Sequence, residues 1–375
     1  MLYTKWYKKC RSKQELTEMA MEKVTIKMIA EQASVSIGTV DRALNGRGRI
    51  NEATKQKILQ LADSMGYQPN KLASALRRKQ SFKIAVVMSR TPDYFVDELK
   101  VGVEDARRSL ADYYTEIDYY FSDTLDPAEQ EIILSGIDVS KYDGMAINAG
   151  GEILNPYINS FVDHGVPVVT FNTDVENSKR ICYIGEDSYH TGRLAGEMMG
   201  KILGGHGTVA IFMGFNLISS HRARAAGFRD FLNERYPAIR VMDVTEYHDI
   251  DSVARSSMQQ LLDNGVCVNG IFCVSTPGAV GVGECLEQHS IRNQICVIGY
   301  DANVKSARLL KAGYCSAIMY QEPRKQSYYA IMLLNSYLSK TWQPECSKYV
   351  TRTKILLAEN IDDYYGTGVK KSTLI

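Results

Sequence analysis

Eight short apolar runs spaced along residues 82–375 constrain this chain more than any other feature. They are KIAVVM (83–88), EIDYYF (116–121), GMAIN (144–148), VPVVTF (166–171), GTVAIFMG (207–214), VNGIFCV (268–274), ICVIGY (295–300) and CSAIMY (315–320). Between them lie segments at helical spacing: 95–111, 127–137, 152–164, 188–203, 219–235, 250–264, 277–290, 302–312 and 323–339. Strand and helix in alternation predict parallel sheets with helices on both faces. Strands that are apolar almost throughout fit that arrangement, because both of their faces are covered. Roughly 290 residues exceed one comfortable open sheet, so the pattern predicts an α/β body of two Rossmann-like lobes with a cleft between them.

Residues 24–66 lack this alternation and read as three short helices, 26–33, 37–45 and 52–66, with Asn51 as N-cap and Gly66 beyond the last turn. Pro69 then breaks the chain. KLASALRRKQS (71–81) is too short and polar to be a stable helix alone, so a conditional helix is expected there. Residues 1–22 fit neither unit and are expected to form a disordered extension. Charge divides at the same place. Residues 1–81 carry sixteen Lys and Arg against seven Asp and Glu, a net of +9, and the total of +1 leaves −8 on the remainder. A basic N-terminal part on an acidic body points to a nucleic-acid-binding module joined to something else.

The stretch SVSIGTVDRALNGRGRI (34–50) shows what that module could do. On two helices joined at 34–36, Ile26, Ile29, Ala30, Ala33, Val35, Val40 and Leu44 form a shared core, leaving Ile37, Gly38, Thr39, Asp41 and Arg42 outward. A helix-turn-helix presents the start of its second helix to the DNA major groove in this way. Ser36, Thr39 and Asn45 are placed to reach phosphates, Arg42 is forked to bridge guanine O6 and N7, and Arg47 and Arg49 would follow the backbone. A helical hairpin in an ordinary bundle is the other reading of the same spacing.

Other classes find little support. No run of 18 apolar residues predicts a membrane span, and the first twenty residues lack the apolar core and cleavage site of a secretory signal. Of the eight cysteines, Cys182, Cys273, Cys296 and Cys315 sit in or beside apolar runs. They are expected to be reduced core thiols in a cytoplasmic protein. GEMMGK (196–201) is one residue short of a phosphate-cradling loop, GVGECL (281–286) lies inside a helix, and six scattered histidines show no metal spacing. No metal, cofactor or catalysis is expected.

The segment TIKMIAEQASVSIGTVDRALNGRGRINEATKQKILQLADSMGYQPNKLASALRRKQ closely resembles the headpiece of the LacI/GalR family of bacterial transcription regulators, and the body resembles that family's effector domain in the branch most like periplasmic ribose-binding proteins. The resemblance covers about residues 24 to 345. It implies a helix-turn-helix domain (23–68), a hinge helix (69–81) and a two-lobed effector domain (82–375). One lobe would take about 82–184 and 322–345, the other about 185–321 and 346–375. It places Ile37, Gly38 and Arg42 on base-reading positions and Ser36, Thr39, Asn45, Asn51 and Thr54 on backbone-contacting ones. Leu76 would wedge into a minor-groove step with Ala73 beside it. Gly38 and Asp41 depart from the longer polar residue and the serine usual there. In the cleft it points to Asp93, Tyr94, Phe95, Asn172, Thr173, Asp174, Arg222, Ser275, Thr276, Asp301 and Gln321, with Arg222, Asp301 and Gln321 foremost. Asn172-Thr173 replaces a charged pair, Ser275 an asparagine and Ile250 an aromatic ring, which argues against ribose itself but not against a sugar or sugar-like ligand. The function implied is a dimeric repressor on a near-palindromic operator, its hinge helix controlled by ligand-driven lobe movement. A sugar-binding protein without transcriptional role, or a sugar-processing enzyme, is the alternative.

Overall fold

The computed structural model describes residues 26–45, 50–65, 81–90, 92–111, 115–124 and 126–364, of which Asn45, Asp93 and Tyr94 by backbone alone. Two units divide the chain, Met1–Arg77 and Arg78–Ile375.

In the first unit, three helices pack on one small core: α1 (Ile26–Ala33), α2 (Ile37–Asn45) and α3 (Glu52–Ser64). Ile29, Ala30, Ala33, Val40, Ala43, Ile58 and Ala62 are buried, while Ile26, Val35 and Leu44 pack against them half-buried. Alanines at these positions let the short helices approach closely. Ser34 turns the chain between α1 and α2 with φ 56°, in the left-handed region that non-glycine residues seldom adopt. Asn51 is the N-cap of α3: its side chain accepts from Ala53 N at 2.9 Å and Thr54 N at 3.4 Å. The third helix ends at Ser64, and Gly66 lies outside the described residues, as do the hinge segment and the N-terminal extension.

Two six-stranded sheets build the second unit. The first holds β1 (Lys83–Ser89), β2 (Glu116–Ser122), β3 (Gly144–Ile147), β4 (Val168–Phe171), β5 (Cys182–Gly185) and, later in the chain, β11 (Lys348–Val350), in the order β2-β1-β3-β4-β5-β11. All its pairs are parallel, with Ile84 beside both Ile117 and Gly144. The second holds β6 (Gly207–Met213), β7 (Ile239–Glu246), β8 (Gly270–Cys273), β9 (Cys296–Tyr300), β10 (Ala317–Tyr320) and β12 (Lys354–Leu356), in the order β7-β6-β8-β9-β10-β12. Its pairs are parallel except that of β10 with β12. Helices α4 (Asp93–Ser109), α5 (Pro127–Gly136), α6 (Asn155–Asp163), α7 (Ser188–Ile202), α8 (Ser219–Arg235), α9 (Asp251–Asp263), α10 (Thr276–Gln288), α11 (Val304–Ala312) and α12 (Pro323–Leu338) connect the strands.

The central strands of each sheet are dry on both faces, and successive residues along them point to opposite sides. Ile84, Val86 and Met88 enter one cluster and Ala85 and Val87 the other; Ala210 and Phe212 separate from Val209, Ile211 and Met213 in the same way. The eight apolar runs are all strands. Four further strands lay outside that pattern. β5 and β11 are short, β12 is an antiparallel edge strand, and β7 is an edge strand half open to solvent, so its polar residues break the apolar run. One boundary needs correction: residues 346–375 do not all belong with the second lobe, since β11 extends the first sheet before β12 joins the second. The chain therefore passes between sheets three times, after β5, between β10 and α12, and between β11 and β12. Seven cysteines lie among the described residues. Cys182, Cys273, Cys285, Cys296 and Cys315 are buried, but Cys267 and Cys346 are exposed and are not core thiols.

Candidate functional site

The start of α2 is the first candidate. Ser36 precedes the helix and its Oγ accepts from Thr39 N at 3.2 Å while lying 2.8 Å from Thr39 Oγ1. Arg42 donates from Nη2 to Thr39 Oγ1 at 3.4 Å. Ser36, Ile37, Gly38 and Arg42 are exposed, and Ile37, 49% exposed, offers an apolar side chain to solvent with no role in the core. A Cβ on Gly38 would meet only Ser36 Oγ, at 3.8 Å, so glycine is not required there by packing. Asn51 is the N-cap of α3, as the sequence predicted, with its Oδ1 accepting from Ala53 N and Thr54 N. Thr54 is half-buried beside it. The Asn45 side chain, Arg47, Arg49, Ala73 and Leu76 lie outside the described residues.

The second candidate is a cleft at the carboxyl ends of both sheets, where open α/β sheets bind ligands. It encloses about 450 Å³, its open mouth included. Phe95, in the first turn of α4, lines it together with Asn172, Thr173, Ser275, Thr276, Asp301 and Gln321, which stand at or just beyond strand ends, all seven among the residues the resemblance pointed to. Asn172, Asp249 and Asp301 hold φ of 64°, 53° and 50°, and Asn and Asp are the side chains that best tolerate this left-handed turn. The polar groups interlock. Asn172 Nδ2 donates to Gln321 Oε1 at 2.9 Å and to Gln326 Oε1 at 3.1 Å, and Asn148 Nδ2 donates to Asn172 Oδ1 at 3.1 Å. Gln321 Nε2 donates to Asp301 Oδ2 at 2.8 Å. Thr173 Oγ1 and Ser220 Oγ meet across the lobes at 3.4 Å.

Arg222 is not part of this cleft. Its guanidinium folds back onto Asn216 O at 2.6 Å and Leu217 O at 2.9 Å. Arg224 occupies the position instead. Its side chain donates from Nε to Glu186 Oε1 at 2.6 Å, from Nη1 to Val274 O at 2.8 Å and from Nη2 to Gln321 Oε1 at 3.1 Å. The guanidinium carbon also lies 3.9 Å from the centre of the Tyr300 ring. On α8 the residues Ser220 and Arg224 are four apart and share the cleft face, whereas Arg222 is rotated away. Asp174 is also displaced from its expected place. It forms a buried ion pair with Arg180, accepts from Thr170 Oγ1 at 2.9 Å and from Val175 N at 2.8 Å, and so fixes the loop after β4. The side chains of Asp93 and Tyr94 lie outside the described residues.

Asn148, Ser220, His221 and Asp249 complete the polar lining and were not among the expected residues. Asn148 ends a recognised strand run and was legible by the same strand-end rule. Asp249 was not, because it follows β7, whose polar pattern concealed the strand.

Electrostatics in the cleft follow from burial. It pushes the Asp301 carboxyl up to about 7, although hydrogen bonding from Gln321 and the Arg224 charge pull the other way. It pushes Asp249 up to about 6 against the hydrogen bond from Ser275. Burial, reinforced by Arg224, holds the His221 imidazole down at about 3, so His221 is neutral and its Nδ1 accepts from Phe215 N at 3.1 Å. Burial also works against the Arg224 cation, but the neighbouring Glu186 carboxylate holds it above its ordinary value. Asp249 Oδ1 accepts a short hydrogen bond from Ser275, which itself bonds Tyr247 Oη. Asp249 Oδ2 is buried and finds no hydrogen-bond partner among the described residues. No group of three or more His, Cys, Asp or Glu among the described residues is arranged to hold a metal ion.

Comparison with known proteins covers both units. Residues 84–341 match the family described as periplasmic binding protein domain, and residues 25–70 match bacterial regulatory proteins, lacI family. The chain is 28% identical over 286 residues to the probable HTH-type transcriptional repressor ExuR of Bacillus subtilis, covering 74% of this chain and 81% of that one. It is 24% identical over 321 residues to catabolite control protein A of Priestia megaterium, covering 84% and 93%. Among solved structures, GanP, a glucose-galactose binding protein from Geobacillus stearothermophilus, aligns with a TM-score of 0.69 at 26% identity over 75% of this chain and 99% of its own. A solute-binding protein from Burkholderia graminis in complex with D-arabinose shares the fold, with a TM-score of 0.70 at 24% identity over 76% and 97%.

Proposed function

Since this chain belongs to the periplasmic binding protein domain family over residues 84–341 and to the lacI family of bacterial regulatory proteins over residues 25–70, we propose that it is a DNA-binding transcriptional regulator whose grip on its operator is tuned by a sugar held in the cleft. The observation that carries the reading is the outward face at the start of α2. Ser36, Ile37, Gly38 and Arg42 are exposed on a self-contained three-helix head whose core does not use them. A helix so placed enters the major groove by its N-terminal end.

In this reading Arg42 reads a guanine, Ile37 packs against base edges, and Ser36 and Thr39 hold phosphates, joined by Asn45, Arg47, Arg49, Asn51 and Thr54. Leu76, with Ala73, wedges into the minor groove between half-sites. Two copies bind a near-palindrome as a repressor in the cytoplasm. Among the described residues no helix is long and apolar enough to cross a membrane. Ligand in the cleft changes the lobe angle, and the change decides whether residues 71–79 are helical. A full swing in occupancy requires about 10⁴-fold preference of the ligand for one arrangement. The reading contains no catalytic step.

Selection of duplexes from a random pool by the purified chain, followed by gel shift with and without sugars, tests it. An enriched near-palindromic site is expected, and Arg42→Ala should lose discrimination at one base pair by about 1–3 kcal/mol while keeping the salt-sensitive general affinity. No enrichment over random sequence would refute the proposal.

A further inference from the structure

The cleft's charges are unevenly matched. Arg224 is the one cationic side chain among its described lining residues, and Glu186, Val274 O and Gln321 already engage it. His221 is neutral. Against them stand two carboxyl groups on separate strand ends, Asp249 after β7 and Asp301 after β9, of which burial leaves Asp301 the more readily protonated. Each has acceptor capacity left. Asp301 Oδ2 takes one bond from Gln321. The Asp249 side chain is only 4% exposed, yet its Oδ2 has no hydrogen-bond donor among the described residues, and His221 Nε2, at 3.9 Å, is too far to serve. A buried carboxylate oxygen without a donor calls for a partner from outside the chain. That partner must donate hydrogen bonds and must not bring a second negative charge.

We infer that the cleft admits uncharged polyhydroxylated ligands, that a ligand hydroxyl donates to Asp249 Oδ2, and that Asp249 turns away sugars bearing a carboxylate or phosphate. The inference rests on the reading of the cleft as the effector site and names the ligand class of that site. Asp249 acts here as a specificity-determining residue. It strengthens binding of a hydroxyl through a charge-assisted bond and opposes an anion through like-charge repulsion.

The test is a thermal-shift screen of the full chain, followed by calorimetry. Its probes are neutral sugars (D-ribose, D-arabinose, D-xylose, D-glucose, D-galactose, D-fructose and myo-inositol), acids (D-glucuronate, D-galacturonate, ribose 5-phosphate and glucose 6-phosphate) and D-glucosamine. At least one neutral sugar is expected to bind, with its acidic counterpart more than about 100-fold weaker. Asp249→Asn should weaken the neutral sugar about 10- to 100-fold and narrow the gap to the acid. Asp249→Ser is the second variant, and DNA binding without sugar is measured on both to establish folding. Should neither variant fold, the neutral-to-acid ratio of the unmodified protein decides alone. An acid or phosphate that binds as tightly as its neutral counterpart overturns the inference, as does glucosamine binding more tightly than glucose or an unchanged affinity in a folded Asp249→Asn. If no sugar binds while duplex selectivity persists, this inference fails and the DNA-binding reading stands. Lack of duplex selectivity alone counts against that reading and not against this one.

Discussion

Two residues along a helix turn a side chain through about 200°, and on α8 that rotation separates a cation lying on its own N-terminal loop from one buried in the cleft. Arg224→Ala would leave Glu186 buried without its charge partner. Urea denaturation should register a loss of about 3–5 kcal/mol, and calorimetry should register loss of sugar binding. Arg222→Ala should cost under about 1 kcal/mol and leave sugar affinity unchanged. A reversal of these roles would restore Arg222 to the site. Asp301 carries a pH signature. Its folded value of about 7 lies above that of an unfolded aspartate, so between about pH 4 and 7 the folded state holds the extra proton. Its contribution to stability is therefore fully present in acid and is lost as pH rises through 7. Asp301→Asn removes this term, so unfolding free energies measured across pH should show the variant gaining on the wild type by a few kcal/mol between pH 4 and 7. A constant difference would show that Asp301 titrates normally.

Among the elements, α7 and α8 pack backbone against backbone, and small residues make it possible. A Cβ on Gly192 would sit 2.1 Å from Arg224 O, and one on Gly227 would sit 2.0 Å from Tyr189 O. Because the obstruction is backbone, no rotamer change relieves it. Gly192→Ala should destabilise the body by about 3 kcal/mol and displace the carbonyl of Arg224, with weaker sugar binding as the second readout. A melting temperature unchanged from wild type would mean that the helices can separate freely. These two glycines thus position the cleft's cation. The strands show the opposite case. Those apolar on every residue were plain from sequence because both faces are covered. β7 was hidden because an edge strand with one wet side interrupts its apolar run, and with β7 went the means of finding Asp249.

For the molecule as a whole, the two units answer to different physical demands. The head has a core of a few alanines and isoleucines, sufficient to hold α2 with its outer face bare. The body has four apolar clusters, two to each sheet, and uses the strand ends for chemistry. Hydrophobic periodicity determined from sequence alone that there is a helical head and a two-lobed α/β body, because period is a local property, while the cleft-facing residues came from the family resemblance. Tertiary structure alone decided which of two nearby arginines is buried. It also tied Asp174 to Arg180, returned the chain to the first sheet at β11, and left an oxygen of Asp249 without a donor among the described residues. Each of those outcomes depends on side chains far apart in sequence meeting in a dry interior, where an unmatched charge is costly, and no periodicity in one segment encodes what another segment brings to meet it.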